Sequence, residues 1–429
     1  MSKELNNSAV LHRDTRFLPR KAVGGKGIYI FLEDGTKFLD STGGAAVSCL
    51  GHGHEKVKQA IIDQTNTISY CHTAFFGTGV SEELAQFLVD STGGKLSKVY
   101  MISSGSEAVE AALKLARQYF LELPTPQPQR TRFIARKPSY HGITLGALAA
   151  GGHENGETDA DYVARLAAEL DAEFQRVGPE NVCAFVAEPV VGAALGAVPA
   201  VPGYFKAMKA VCERYGALLI LDEVMSGMGR CGTLHAWEQE DVIPDLQTIG
   251  KGLGGGYAPV SGLLIGEKIV QTLDKGTGVF RHGQTYQGHP ISCAAALAVQ
   301  KVIQEENLLE NIRNMGIYLE TQLKGRLGDH PYVGDIRGKG LFWGIEFVKD
   351  KSTKEPFSPE MGVAAHIQET GLDPTYGISL YAAAGCVDGT RGDHVLLAPP
   401  YIVTKDEIDL IVETTARVLE HVFTKVVKV

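Results

Sequence analysis

Cysteine pairs are missing from this chain: its seven cysteines, among 429 residues, are scattered without a CxxC spacing. An odd, dispersed set fits reduced thiols better than a disulfide framework or a zinc site. No window is apolar and long enough to cross a bilayer, and the opening MetSerLysGluLeuAsnAsn has no apolar run behind a basic one. The expected location is therefore the cytoplasm. Positive charge is scarce as well. Forty-one Lys and Arg against fifty Asp and Glu give a formal net charge of -9, with a pI of about 5.8. That balance argues against nucleic acid or an anionic membrane as partner. Internal repeats, coiled-coil heptads and low-complexity tracts are absent. The glycine runs match neither GxGxxG after a first strand nor a P-loop, which disfavours a nucleotide-dependent enzyme. GlyHisGlyHis at 51–54 is an isolated HxH in a glycine turn, and it reads as structural rather than as a metal site.

What is present is enough for a large core. A chain of 429 residues, 44% hydrophobic, divides into a large and a smaller domain. From about His54 to Ile303, helical patterns alternate with apolar runs at 99–103, 183–188, 218–224, 246–250 and 260–266. Such alternation predicts an α/β fold with a mostly parallel sheet covered by helices. The flanking stretches 1–53 and 304–429 carry shorter strands and amphipathic helices, including 341–348 and a closing helix from Lys405. They are expected to pair as a small α+β domain.

One lysine stands apart. Lys251 is enclosed by Gly250, Gly252, Gly254, Gly255 and Gly256, a loop that serves no helix or strand pattern and lets backbone approach a ligand closely. Upstream, Asp222 closes the apolar run 218–221, at the carboxyl edge where open α/β sheets place their ligands. An amine able to form a Schiff base, together with an acid able to protonate a ring nitrogen, is the minimum apparatus of pyridoxal phosphate chemistry. SerSerGlySerGlu at 103–107 leads from an apolar run into a long helix. Ser104, Gly105 and Ser106 are small enough to admit a phosphate to the helix N-terminus, although the same pattern also makes a plain helix cap. Tyr140, in SerTyrHisGly, could stack on a pyridine ring, or simply be a half-buried packing residue.

From about Val23 to Thr404 the sequence resembles the class III (omega) aminotransferases of the fold type I pyridoxal phosphate enzymes. The strongest match is LeuAspGluValMetSerGlyMetGlyArgCysGly at 221–232, followed by ProAsp at 244–245 and ThrIleGlyLysGlyLeuGlyGlyGlyTyr at 248–257. SerGlySerGlu at 104–107, TyrHisGly at 140–142, GluPro at 188–189, ThrTyrGlnGlyHisPro at 285–290 and AlaProPro at 398–400 follow in the family's order. The resemblance implies a homodimer and assigns roles by position. Lys251 is the Schiff-base lysine and proton carrier, and Asp222 is the acid on the pyridine nitrogen. Val224 lies under the ring and Tyr140 over it, with Gly105 and Ser106 on the phosphate and Thr285 lent to the neighbouring subunit's phosphate. Glu188 lies beside the phenolic oxygen, or is an ordinary strand stop. Arg230 has a structural look.

Departures from the family pattern carry the substrate information. Members acting on ornithine and similar substrates have an arginine two residues before AlaProPro and a glutamate just after GluPro-x-x-Gly; here these positions hold Leu396 and Ala193. This favours an amine or omega-amino acid donor with pyruvate or a similar 2-oxo acid as acceptor. Arg391, before GlyAspHis, is a candidate for the acceptor's carboxylate, against an ordinary solvated loop arginine. Phe75 and Phe76, with Ala46 where amine transaminases often carry a bulky aromatic, point to a roomy apolar wall. The stretch 149–159 is short for the family. An aminomutase, epimerase or decarboxylase would share Lys251 and Asp222.

Overall fold

The computed structural model describes residues 8–12, 18–141 and 158–426. The expectation for 149–159 falls mostly outside them, and a helix begins at Asp159. At the centre lies a six-stranded sheet, in the order Lys98–Ile102, Ser261–Ile265, Leu246–Ile249, Leu218–Glu223, Val182–Ala187, Arg132–Ala135. Ser261–Ile265 runs antiparallel to both of its neighbours. The remaining contacts are parallel.

Residues alternate across this sheet, and both faces are covered. Leu218 and Ile220 pack with Ala108, Leu115 and Phe120 of the helix Gly105–Glu122. Leu219 and Leu221 pack on the other side with Phe174, Phe205 and Met208. This is why Leu218–Glu223 reads as an unbroken buried run rather than as alternating apolar and polar residues. The two-residue period carries forward from Leu218 and Ile220 to place Asp222 on the face of Gly105–Glu122, and Glu223 on the opposite face. There Glu223 accepts the amides of Ala236 and Trp237, each at 2.7 Å.

Outside the large sheet are an antiparallel three-stranded sheet, Ala22–Lys26, Tyr29–Leu32 and Lys37–Leu39, and an antiparallel four-stranded one. The latter runs Val333–Lys339, Phe342–Phe347, Asp393–Leu397, Tyr381–Ala384. Ile28, Leu39 and Leu50 share one hydrophobic cluster with Leu319, Phe347 and Ile411. Leu39 N–H also donates to Gly377 O at 2.8 Å. The same cluster takes in Val299 and Ile303 of the helix Pro290–Glu305. Among the described residues no helix is long and apolar enough to cross a membrane. His52 Nε2 lies 3.0 Å from Asp40 Oδ2 and His54 Nε2 lies 3.4 Å from Glu306 Oε1, so the histidines of the HxH pair diverge to separate carboxylates.

Candidate active site

Segments that follow five strands of the large sheet meet around one cavity of about 300 Å³. Its lining includes Ser104, Gly105, Ser106, Tyr140, Glu188, Asp222, Val224 and Lys251, eight residues drawn together from motifs far apart in the sequence. Thr285, Phe75, Phe76 and Arg391 do not line it. Thr285 is exposed, with its carbonyl accepting from Tyr70 Oη at 3.0 Å. Phe75 and Phe76 are 76% and 67% exposed. Arg391 is exposed and pairs through Nε with Asp388 Oδ2 at 2.7 Å.

Asp222 is buried and engaged through both oxygens. Oδ2 lies 2.8 Å from His141 Nδ1, and Oδ1 accepts from Val224 N–H at 3.1 Å and Thr248 Oγ1 at 3.0 Å. Burial alone would raise this carboxyl, but the His141 partner outweighs it and the group is held below its ordinary range. Reciprocally, burial would lower His141, yet the bond to Asp222 raises it. Both directions favour an imidazolium beside a carboxylate. In sequence, His141 belongs to the TyrHisGly motif and Thr248 to the lysine loop, and neither motif gives them a role. The signal for both is adjacency to a motif, which does not say what they touch.

Lys251 follows Leu246–Ile249 in a short 3₁₀ turn, with a left-handed backbone at φ +41°. That conformation is uncommon outside glycine and here aims a long side chain at the cavity. Burial lowers the amine, opposed by the charges of Asp222 and Glu188. The balance moves it toward the neutral form that a base or nucleophile needs.

Val224 has glycine on two sides. A Cβ added to Gly105 would stand 2.6 Å from Val224 Cγ1, and one on Gly250 would stand 3.2 Å from it. Glycine is therefore what lets the helix start and the lysine loop close around this side chain. Ser104 caps the helix, its hydroxyl accepting from Glu107 N–H at 3.3 Å while Glu107 Oε2 accepts Ser104 N–H at 2.8 Å. The cap alternative is realised at Ser104, while Gly105 and Ser106 open the first turn, where the helix dipole favours an anion. Glu188 accepts from Tyr140 N–H at 3.0 Å and from Gly192 N–H at 3.1 Å, one on each oxygen. It ties the Tyr140 backbone to the neighbouring loop, and burial raises its carboxyl.

One cavity thus collects a buried anion, a lysine of lowered basicity, a helix N-terminus and an aromatic side chain. These are complementary to a ring nitrogen, an aldehyde, a phosphate and a planar ring, so the residues present fit pyridoxal phosphate. The Aminotransferase class-III family model matches residues 10–419. An aminotransferase of Gibberella zeae is 51% identical over 92% of this chain and 82% of its own. Gamma aminobutyrate transaminase 3, chloroplastic, of Solanum lycopersicum is 33% identical over 90% of this chain and 77% of its own. Among solved structures, an (S)-enantioselective omega-transaminase from Thermomicrobium roseum superposes with a TM-score of 0.87 at 36% identity, covering 95% of this chain and 94% of that one. With fold, cavity chemistry and kinship in agreement, the chain belongs to the class III aminotransferases, fold type I enzymes whose cofactor is pyridoxal 5′-phosphate.

Proposed function

We propose that this enzyme moves an amino group from a primary amine or omega-amino acid to pyruvate or a similar 2-oxo acid. The observation that carries this reading is the apolar wall that Ala193 and Met225 contribute to the cavity. Leu396 is buried in a cluster with Ala46, Val190, Phe342 and Ala398, against which Ala193 and Met225 pack. Ala193 and Met225 also line the cavity. An apolar wall accepts a hydrocarbon substituent, whereas a carboxylate buried against it would lose its hydration without a partner. The kinship with gamma aminobutyrate and omega-transaminases supports the same substrate class.

Bound pyridoxal phosphate supplies an aldehyde carbon that takes up nitrogen and a ring that accepts the electrons released at the substrate carbon. The side chains do the rest. Asp222, kept ionised by His141, holds a proton at the ring nitrogen. Lys251 carries a proton to and from the substrate carbon. Val224 and Tyr140 hold the ring between them, and Gly105 and Ser106 receive the phosphate. In this reading Arg391 receives the acceptor's carboxylate by swinging from Asp388; an exposed pair of this kind is weak, so leaving it costs little. Two exposed aromatic pairs, Phe75–Phe76 and Tyr70–Tyr286, fit a two-fold interface that brings Thr285 to the partner's phosphate.

The test is a screen of purified protein with pyruvate against apolar primary amines, omega-amino acids and α-amino acids. Ketone or aldehyde and alanine formed one-to-one from the first two classes is the expected result. Product formed without alanine would point to an aminomutase, epimerase or decarboxylase. A preference for glutamate with 2-oxoglutarate would overturn the substrate assignment.

A further inference from the structure

The helix Pro290–Glu305 buries Cys293, Ala296, Leu297, Val299, Val302 and Ile303, and on the same packed surface Gln300, which is 1% exposed. A glutamine in that setting needs partners, and it has two of an unusual kind. Its Nε2 donates to Gly252 O at 3.0 Å and to Leu253 O at 2.9 Å. These are the carbonyls of the two residues that follow Lys251. The amide cannot be reversed, because its oxygen would then face two acceptors with no donor between them. Oε1 is left with no hydrogen-bond partner among the described residues, so the side chain gives up one satisfied group to keep this hold.

The turn it holds needs holding. Lys251 sits at φ +41°, a conformation that persists in a non-glycine residue only when its surroundings enforce it. Within the turn, Leu253 N–H donates to Gly250 O at 2.8 Å and Gly255 N–H to Lys251 O at 3.0 Å. The Tyr401 hydroxyl would lie 3.2 Å from a Cβ on Gly252. Backbone contacts and Tyr401 limit the turn, and Gln300 anchors its carbonyls.

We propose that Gln300 is a positioning residue for Lys251: by tying down the Gly252 and Leu253 carbonyls it keeps the lysine in its left-handed conformation with the amine on the cavity. The proposal rests on Lys251 being the reactive amine. Released from this hold, the turn relaxes toward an ordinary backbone, water reaches the amine, and its basicity climbs back toward that of a free lysine.

The experiment uses Gln300→Met, equal in length and without a donor, and Gln300→Glu, equal in shape and an acceptor when ionised. In cofactor-free protein, the rate of Lys251 acylation by an amine-reactive reagent is followed against pH by peptide mapping, with exposed Lys275 as internal reference. Wild type is expected to label with a midpoint below that of Lys275, and both variants with a midpoint raised by about one unit, a tenfold change in proton affinity. In the loaded enzyme, kcat is expected to fall about tenfold with KM within about twofold. Variants that lose thermal stability but keep the wild-type midpoint and kcat would reduce Gln300 to a packing residue and overturn the proposal. A wild-type Lys251 that labels like Lys275 would instead remove the lysine assignment beneath it. Should Gln300→Met not accumulate as folded protein, Gln300→Asn, whose donor falls one methylene short, carries the same expectation.

Discussion

Asp222→Asn keeps the shape of the residue and loses its charge. The amide cannot hold a ring nitrogen protonated as the carboxylate does, and His141 is left without its counter-ion. We expect folded protein that still retains cofactor, with kcat reduced about 10²-fold or more, as for loss of a positioned acid or base. Absorbance of the bound cofactor alongside steady-state rates checks this; wild-type turnover at full occupancy would remove Asp222 from that role. The position of Asp222 at the end of an apolar run is enough to locate it at the sheet edge. Its partner is not legible in the same way, because His141 lies 81 positions away and a histidine beside a tyrosine has no periodic signature. Gln300 escapes the sequence for a related reason: hydrophobic pattern treats a buried polar residue on an apolar helix as noise, and only the carbonyls opposite it give it meaning.

At the scale of elements, strand ends are easier to read from sequence than strand directions. Ser261–Ile265 is antiparallel to its neighbours, yet a strand buried on both faces reads as the same apolar run either way. The clue lies in its connection, since the link from Ile249 to Ser261 holds no helix pattern and a parallel crossover needs one. The loop before Asp393–Leu397 is legible as a position but not as a contact. Arg391 pairs there with Asp388, and its approach to the cavity belongs to the proposed function. Arg391→Ala is accordingly expected to slow the half-reaction with pyruvate or alanine by about ten- to a hundredfold, the worth of a charge-assisted pair, and to spare the half-reaction with an apolar amine. Single-turnover kinetics followed by cofactor absorbance separates the two. Equal losses would make Arg391 a support of its loop.

At the scale of the whole molecule, two buried histidines among the described residues, His235 and His394, do not line the cavity. Burial is the main reason that His235 and His394, ordinarily near 6.5, are both pushed down to about 4. His394 also faces Arg337, while its Nε2 donates to Ala193 O at 3.0 Å. His235 meets Gln247 at 3.0 Å and Ser91 at 2.9 Å. Both are neutral in the fold and take up protons on unfolding. Their contribution is complete above about pH 6.5 and is lost as pH falls through about 4, each on the order of 3 kcal/mol. Denaturant midpoints are expected to drop steeply between about pH 6.5 and 4, and to drop less in a His235→Gln, His394→Gln double variant. An undiminished decline in that variant would assign the acid sensitivity elsewhere. At the same scale, the exposed Phe75, Phe76 and Tyr286 lead us to expect twice the 46.1 kDa chain mass by light scattering, and weaker cofactor retention in Thr285→Ala. A fully active single chain would set the shared phosphate site aside. The apolar patch itself is unreadable from sequence, because exposure of an aromatic is a property of the surroundings that fold against it.

The reversal of Ser261–Ile265 also bears on the order in which the site comes into being. Leu246 and Ile265 pair across nineteen positions, enclosing the lysine turn in a short chain segment, whereas Asp222 must find His141 across 81. Closing the longer span costs only about 1 kcal/mol more in chain entropy, but it also waits on every strand laid down between. Local pairings form early and distant ones late, so a refolding chain is expected to hold its lysine turn before its acid has a counter-ion. In pulse-labelling hydrogen exchange, amides of 246–265 should be protected ahead of those at 132–141, leaving a folding intermediate that carries the nucleophile but not yet the means to keep Asp222 ionised.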